Sequence, residues 1–186
     1  MDEAWISVDV ETSGPTPGSG SLIAIGACLV GQPEVRFVAT LRPIPGLPWS
    51  ADAERVHGLS RERLAAEGAT PQNAMRLFAD WVDTVAAGRR PVFVGFNATF
   101  DWMFVADYLW RFAGRNPFGT SGLDLKALYL GRHLGDVWSW AETTSDHVSR
   151  RYDVKMVHTH LPLDDALEQA AMCRAILAGA AIDLGA

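Results

Sequence analysis

The segment that determines the fold is WISVDVETSG, residues 5–14. From position 6 to position 11 its apolar and polar side chains alternate, which is the periodicity of a β-strand, and the turn-forming residues 12–15 end that strand. Because side chains two residues apart leave a strand on the same face, the Asp9 and Glu11 carboxylates point the same way. Two such acids repel each other in a protein interior unless a cation lies between them.

Asp9 and Glu11 could also belong to a strand whose polar face is simply in water. Their position at the carboxyl end of the strand, followed by a Thr-Ser-Gly turn, is where α/β folds bind ligands. We therefore interpret the pair as part of a functional site.

The rest of the chain predicts an α/β fold with a mixed sheet. Apolar runs joined by short turns indicate an antiparallel meander with the first strand, and apolar residues at helical spacing indicate helices. The further predicted elements are strands at 22–30, 35–41 and 91–96 and helices at about 71–87, 99–113 and 163–180. With no internal repeat and no long linker, residues 1–186 are predicted to form one domain.

The composition is that of an ordinary globular protein, with 48% hydrophobic and 20% charged residues. No apolar run reaches the roughly 20 residues of a membrane helix, and the acidic start does not resemble a signal peptide. Cys28 and Cys173 lie far apart in apolar surroundings, which favours buried free thiols in a reducing compartment. These features predict a cytoplasmic protein without a membrane partner.

The net charge of −6 argues mildly against a nucleic-acid partner, because phosphate contacts need Lys and Arg. Two bound divalent cations would offset four of these negative charges. Basic residues also cluster at Arg150, Arg151 and Lys155. We predict that the two arginines contact the phosphates of a bound strand; the alternative is a solvated basic loop.

Further candidate site residues lie in two later segments. Asp101 opens a helix directly after a buried strand, Asp165 lies in the first turn of the last helix, and His160 lies on the loop before it. Each has a simple structural explanation alone, since acids stabilise helix N-termini and loop histidines are usually solvated. Asp164 could take the place of Asp165, and His158 that of His160.

The four acids and His160 together indicate metal chemistry more strongly than any one of these residues does alone. Four carboxylates from three segments provide the oxygen ligands that two hard divalent cations prefer. Two such ions can activate a water and stabilise the leaving oxygen in an attack on phosphorus. An imidazole, which exchanges protons near neutral pH, is suited to accept the proton of that water.

Three ordered motifs resemble those of the DEDDh exonucleases, the DnaQ-like group that includes the proofreading subunit of the bacterial replicative polymerase, RNase T and oligoribonuclease. The motifs are DVETSG at 9–14, GFNATFD at 95–101 and H-x-x-x-x-D at 160–165. The resemblance spans about residues 5–180. VHGLS at 56–60 also resembles a motif that these enzymes carry after the third strand.

The resemblance implies a ribonuclease H-like fold, a five-stranded mixed sheet flanked by helices, and 3′→5′ hydrolysis of single-stranded DNA or RNA. It implies two divalent cations, Mg²⁺ or Mn²⁺, held by Asp9, Glu11, Asp101 and Asp165, with His160 as general base. The substrate-binding residues expected on this basis are Thr12, Ser13, Gly14, His57 and Asn97. Some relatives form homodimers and others bind a polymerase, and the sequence favours neither.

The chain departs from the family pattern at two positions. Phe96 stands where many relatives have His, and Pro162 lies in a stretch that is usually rich in Ala. Neither replaces a ligand or the base, so we expect these changes to affect substrate preference. Residues 138–144 match no known motif; they could stack on bases or pack locally.

Two other functions are compatible with parts of the sequence. A haloacid-dehalogenase-like phosphatase uses Asp-x-Asp-x-Thr after its first strand, which residues 9–12 approach, but Glu11 replaces the second Asp. That function also leaves Asn97, Asp101 and His160 without roles. A non-catalytic nucleic-acid-binding module of the same fold would usually have lost a ligand or the base, and all five positions are filled.

Overall fold

A mixed five-stranded β-sheet forms the centre of the computed structural model, which describes residues 2–135, 139–155, 157 and 159–179. The strand order is β3-β2-β1-β4-β5; β1 is antiparallel to β2 and parallel to β4. The strands are β1 (Glu3–Thr12), β2 (Leu22–Leu29), β3 (Gln32–Thr40), β4 (Arg90–Gly95) and β5 (Gly122–Asp124). The predicted α/β fold with a five-stranded mixed sheet is confirmed.

Helices cover both faces of this sheet. The helices are α1 (Ala51–His57), α2 (Arg61–Glu67), α3 (Pro71–Ala86), α4 (Thr99–Tyr108), α5 (Leu125–Arg132), α6 (Ser145–Arg151) and α7 (Pro162–Ala178). A π-helical turn (Leu109–Ala113) extends α4, and a 3₁₀ turn (Trp140–Thr143) precedes α6. One apolar core lies under α3 and α4, and a second lies under α5, α6 and α7. Because both faces are covered, β2 is buried along its whole length.

The helices with a clear apolar periodicity agree with the prediction. Thr70 caps α3 by accepting a hydrogen bond from the Asn73 amide, and Pro71 occupies its first turn. Both features lower the cost of starting a helix at this point. Among the described residues, every helix is too short or too polar to cross a lipid bilayer.

Several short elements were not predicted. Helices α1 and α2 each bury one side chain, His57 and Leu64 respectively, so neither shows an apolar stripe. Each is started by a serine cap, Ser50 or Ser60. Strand β5 has three residues, which is too few for a periodicity to appear.

Gly26 lets α7 approach the sheet closely. It pairs with Asp9 across β1 and β2. A Cβ added at Gly26 would lie 2.2 Å from the carbonyl carbon of Pro162 and 2.3 Å from the Leu163 nitrogen. The first turn of α7 therefore rests on the backbone of β2 beside Asp9, and a side chain at position 26 would displace it.

We expect Gly26→Ala to destabilise the protein by about 1–3 kcal/mol, the usual cost of overpacking. It should also lower kcat by roughly 10²-fold, because small displacements of reacting groups have effects of that size. Thermal unfolding and steady-state kinetics would measure both effects. Gly31→Ala is the matched control, since nothing lies within 4 Å of a Cβ there. Equal kcat in the two variants would show that the start of α7 does not determine the site geometry.

Candidate metal centre

Asp9 and Glu11 lie near the carboxyl end of β1, opposite Gly26 and Ala24 of β2. Their side chains face the side of the sheet that α7 covers. Asp9 Oδ1 accepts a hydrogen bond of 2.6 Å from Gln169 Nε2 on α7. The strand therefore presents both carboxylates to the first turns of one helix.

Asp101 reaches the same place from the other side of the sheet. It lies in the first turn of α4 and is 5% exposed. Its Oδ1 accepts a hydrogen bond of 3.1 Å from the Val10 amide, between the two acids of β1. That amide is available because β4 pairs with β1 only as far as Ser7, so the end of β1 extends beyond its parallel neighbour.

Asp165 and His160 complete the cluster from α7 and the loop before it. Ligating atoms of Glu11, His160 and Asp165 all lie within 4.8 Å of one another. His160 is exposed and has a φ of 54°, a left-handed conformation that histidine adopts more readily than most residues.

The structure distinguishes Asp164 from Asp165. Asp164 Oδ2 accepts a hydrogen bond of 3.0 Å from the Thr159 hydroxyl, so Asp164 holds the loop that carries His160. Asp165 is the acid that faces Glu11. His158, the alternative to His160, lies outside the described residues.

Burial, together with repulsion between neighbouring acids, raises the pKa values of three acids in the cluster. Burial, followed by repulsion from Asp101, Asp165 and Glu11, raises the pKa of Asp9 well above its usual value. Burial and the neighbouring acids raise the pKa of Glu11 to about 8. Burial raises the pKa of Asp101 to about 7, against the opposing effect of the Val10 hydrogen bond.

The donor set suits divalent cations. Within the described residues, the groups that perturb Asp9, Glu11 and Asp101 include other acids but no lysine or arginine. Carboxylate oxygens that converge without a basic partner are the ligands that Mg²⁺ and Mn²⁺ prefer. A bound cation would offset both the burial and the repulsion that raise these pKa values, so the residues present fit such an ion.

These pKa shifts predict how stability depends on pH. Glu11 ionises near pH 4.3 when unfolded and near pH 8 when folded, so the folded state binds the proton more tightly. Stability is then highest at low pH and is lost as the pH rises between these values. We expect the melting temperature in EDTA to fall by roughly 5 °C or more between pH 5.5 and pH 8. Mn²⁺ should raise it more at pH 8, because it binds the ionised carboxylates.

Differential scanning fluorimetry across this pH range tests the prediction. Glu11→Gln should flatten the dependence, whereas the exposed Glu62→Gln should leave it unchanged. A melting temperature in EDTA that stays constant or rises from pH 5.5 to pH 8 would contradict the clustered arrangement.

A cavity of about 170 Å³ opens beside Asp9. Its lining combines the acids with two apolar side chains and one residue from the start of α6. The residues that line it include Asp9, Phe96, Ser145, Asp165, Gln169 and Met172. Phe96, the departure from the family pattern, therefore forms an apolar wall next to the carboxylate cluster.

The last residues of the first motif are held by hydrogen bonds within the protein. The Thr12 hydroxyl donates to the Gly14 carbonyl at 2.9 Å. The Ser13 hydroxyl accepts from the Ser21 amide at 2.8 Å and donates to the Pro48 carbonyl at 3.3 Å. The structure therefore gives these hydroxyls a role in fixing the turn, and their predicted contact with substrate remains a prediction.

His57 and Asn97 occupy constrained positions. His57 is buried, its Nδ1 accepts from the Leu59 amide at 3.0 Å, and its ring lies edge-on to Trp49. Burial lowers the pKa of His57, with Glu54 opposing this, which favours the neutral ring. Because Nδ1 accepts a hydrogen bond, the neutral ring carries its proton on Nε2. That atom is buried without a hydrogen-bond partner in the described part of the chain.

Asn97 is exposed with a φ of 58° at the turn between β4 and α4.

Arg150 and Arg151 lie in the last turn of α6, away from the cavity beside Asp9. Arg150 Nε donates to the Asp146 carbonyl at 3.0 Å, and the side chain lines a separate cavity with Ser149. The first residue of the same helix, Ser145, lines the cavity beside Asp9. Arg150 therefore lies about 8 Å further along the helix axis than Ser145, outside the carboxylate cluster, and its predicted contact with a phosphate remains a prediction.

Two site residues were not predicted from the sequence. Gln169 lies four residues after Asp165 on α7, on the same face of the helix. Glu168 lines the cavity and accepts a hydrogen bond from the Val157 amide at 2.5 Å, which ties the His160 loop to α7. Both residues lie three or four positions after Asp165, a spacing that places side chains on the same helix face, so the sequence contained enough information to predict them.

Trp140 falls in the stretch that matched no motif. Its side chain is 52% exposed, and the Lys126 ammonium lies 4.5 Å from its ring centroid. The exposed part of the Trp140 ring is accessible for stacking on a base, and the contact with Lys126 packs the ring locally. Trp138 lies outside the described residues.

A cluster of acids at the carboxyl end of the central strand of a mixed sheet of this kind is typical of nucleases that use divalent cations. No family model matches the chain. The chain is 40% identical over 175 residues to the 3′-5′ DNA exonuclease Cap18 of Escherichia coli, covering 94% of this chain and 91% of that protein. This level of identity over nearly both full lengths shows a shared family.

Solved structures show the same fold. The nuclease domain of 3′hExo, a DEDDh family member bound to rAMP, superimposes with a TM-score of 0.74 at 14% identity, covering 94% of this chain and 92% of that one. E. coli Exonuclease I in complex with a dT13 oligonucleotide gives a TM-score of 0.67 at 18% identity, covering 92% and 40%. The chain belongs to the DEDDh family of 3′→5′ exonucleases, which excludes the phosphatase alternative.

Proposed function

We propose that the protein removes nucleotides one at a time from the 3′ end of single-stranded DNA. The observation that carries this proposal is the convergence of Asp9, Glu11 and Asp101 with Asp165 and His160. DNA is favoured over RNA because the 40% identical relative is a DNA exonuclease.

The four carboxylates would hold two cations, Mg²⁺ or Mn²⁺. Bound divalent cations would supply the Lewis acidity that activates a water and stabilises the leaving oxygen. Asp9 and Glu11 would bind them from β1, Asp101 from α4 and Asp165 from α7. The buried setting of Asp101 and the Val10 hydrogen bond hold its carboxylate in a fixed orientation.

His160 would act as the general base. Its ring lies beside Glu11 and Asp165 on an exposed loop, where it can accept the proton of the attacking water. The water oxygen then bonds to phosphorus, and the 3′ oxygen of the preceding nucleotide leaves. Thr159, Asp164 and Glu168 hold the loop in place through their hydrogen bonds.

The 3′-terminal nucleotide would lie next to residues 12–14, His57 and Asn97. The buried His57 Nε2–H lacks an acceptor in the described part of the chain, and a buried donor without a partner costs free energy. Because this atom is buried, a substrate oxygen would satisfy it only after the side chains around His57 move. Phe96 would offer an apolar surface to the base or sugar.

A panel of oligonucleotides tests the function. We would incubate 5′-labelled and 3′-labelled DNA and RNA of several lengths with Mg²⁺, Mn²⁺ or EDTA. We expect 5′-labelled DNA to shorten in steps of one nucleotide, faster than RNA, and EDTA to stop the reaction. Fragments that start from the 5′ end, or no shortening with either metal, would overturn the proposal. Binding without shortening would support a non-catalytic module instead.

Arg150 and Arg151 provide a prediction about the strand beyond the scissile bond. Phosphate contacts weaken as salt rises, since bound counterions are released. We expect Arg150→Ala with Arg151→Ala to raise KM and to flatten its salt dependence, with little change in kcat. Steady-state kinetics at several salt concentrations, with Arg76→Ala as a surface control, would measure this. An unchanged salt dependence would indicate a solvated basic turn.

The assembly state and cellular location remain predictions. The sequence predicts one domain in the cytoplasm; some relatives dimerise and others bind a polymerase, and the sequence favours neither. Light scattering during size-exclusion chromatography distinguishes a monomer from a homodimer.

A further inference from the structure

Gln169 connects three parts of the site through one buried amide. Its Nε2 donates to Asp9 Oδ1 at 2.6 Å, and its Oε1 accepts from the Phe96 amide at 3.0 Å. The side chain is 5% exposed. It therefore joins α7 to β1 and to the end of β4 at the edge of the cavity beside Asp9.

The amide is fixed in one orientation. The Phe96 backbone N–H can only donate, so the Gln169 oxygen must face it and the NH₂ group must face Asp9. Hydrogen bonds to a charged acceptor are stronger than neutral ones. A donor at this position therefore fixes the direction of the Asp9 carboxylate through Oδ1, and it leaves the second oxygen, Oδ2, available as a ligand.

The surroundings of Asp9 make this donor important. Asp9 lies among the carboxylates of Glu11, Asp101 and Asp165, which can only accept hydrogen bonds when ionised. In the described part of the chain, the Gln169 amide is the side-chain donor that holds the Asp9 carboxylate. Gln169 also lies one helical turn after Asp165, so it fixes the distance between two acids that come from different elements.

We propose that Gln169 is a positioning residue of the metal centre, whose amide orients the Asp9 carboxylate for cation binding and couples it to β4 and α7. This inference rests on the proposed role of Asp9 as a metal ligand. Hydrogen-bond partners of ligating carboxylates typically contribute 10–100-fold to metal affinity or activity.

The test is direct metal binding rather than turnover. Gln169→Met keeps the length of the side chain but removes its N–H donor. Calorimetric titration of Mn²⁺ into the metal-free protein should show a dissociation constant raised by roughly 10–100-fold. In the nuclease assay, the Mn²⁺ concentration for half-maximal rate should rise in parallel, while KM for DNA stays nearly constant.

Controls separate positioning from general loss of stability. Ile176→Val, a buried change on the same helix, should lower the melting temperature in EDTA without changing Mn²⁺ affinity. Gln72→Met on the exposed start of α3 should change neither. If Gln169→Met is too unstable, Gln169→Asn, which is too short to span both partners, takes its place.

The outcomes are distinct. A Gln169 variant with a lower melting temperature but wild-type Mn²⁺ affinity would overturn the positioning role and leave a purely structural one. Wild-type protein that shows the Gln169-dependent Mn²⁺ binding but degrades no nucleic acid would instead overturn the proposed function and retain the positioning role.

Discussion

Asp9→Asn is expected to abolish hydrolysis, lowering kcat by about 10³-fold or more, while it raises the stability of the metal-free protein. The loss follows because cations contribute several kcal/mol of transition-state stabilisation, and each 1.36 kcal/mol is tenfold in rate. The gain in stability follows because the pKa of Asp9 is raised by burial and by three neighbouring acids. A neutral amide of the same shape removes that repulsion.

This pair of opposite effects is diagnostic. If Asp9 only supported the fold, its replacement would lower the stability of the protein, and the activity would fall for that reason. Melting temperature in EDTA, Mn²⁺ titration and single-turnover kinetics would be measured on the same preparation. Asp83→Asn, an exposed acid on α3, is the matched control. Retained hydrolysis in Asp9→Asn would remove the basis of the metal site.

The first motif could be predicted because it obeys a local rule. The alternation in residues 5–11 fixes which side chains of β1 share a face, and that face is independent of anything distant in the chain. The structure places Asp9 and Glu11 on the side that α7 covers. A local pattern likewise defined α3, whose apolar face repeats over several turns.

Contacts between distant segments could not be predicted in the same way. The Gln169 bond to Asp9 spans 160 positions, and its existence depends on how closely α7 approaches β2 at Gly26. The sequence does not encode that distance in any local pattern. Asp164 and Asp165 were ambiguous for the same reason, because the rotation of a helix about its axis is set by what it packs against.

The five-stranded sheet explains why the three motifs meet. β1 lies in the centre with β2 antiparallel on one side and β4 parallel on the other, and the pairing with β4 ends at Ser7, three residues before Val10. The chain after β4 turns at Asn97 and starts α4 beside the part of β1 that has no strand partner on this side. The Asp101 carboxylate then takes the place of the missing strand as acceptor for the Val10 amide.

The loop before α7 carries His160, the exposed member of the cluster. His160 is exposed and adopts a left-handed backbone conformation, which costs free energy unless neighbouring contacts stabilise it. The hydrogen bonds from Thr159 to Asp164 and from Val157 to Glu168 provide such contacts. An exposed side chain on a loop held by hydrogen bonds suits the proposed role of His160, which is to accept a proton beside the metal ligands.

His160→Ala is expected to slow the chemical step by roughly 10²–10⁴-fold, the usual contribution of a positioned base. Its ring lies within 4.8 Å of the Glu11 and Asp165 oxygens, so two roles are geometrically open, proton acceptor and metal ligand. As a base, His160 contributes to kcat alone, and Mn²⁺ affinity in the variant should match the wild type. If His160 is a metal ligand instead, its loss would weaken Mn²⁺ binding, and a higher Mn²⁺ concentration would restore the rate.

Single-turnover rates at saturating Mn²⁺, together with calorimetric Mn²⁺ titration, separate these two roles of His160. His147→Ala on α6, which removes an imidazole that packs against Tyr129, is the matched control and should keep most of the activity. Hard cations prefer carboxylate oxygens over imidazole, and four carboxylates are already present at the site. The base role therefore predicts a rate that stays low at every Mn²⁺ concentration, and recovery at high Mn²⁺ would assign His160 to the metal instead.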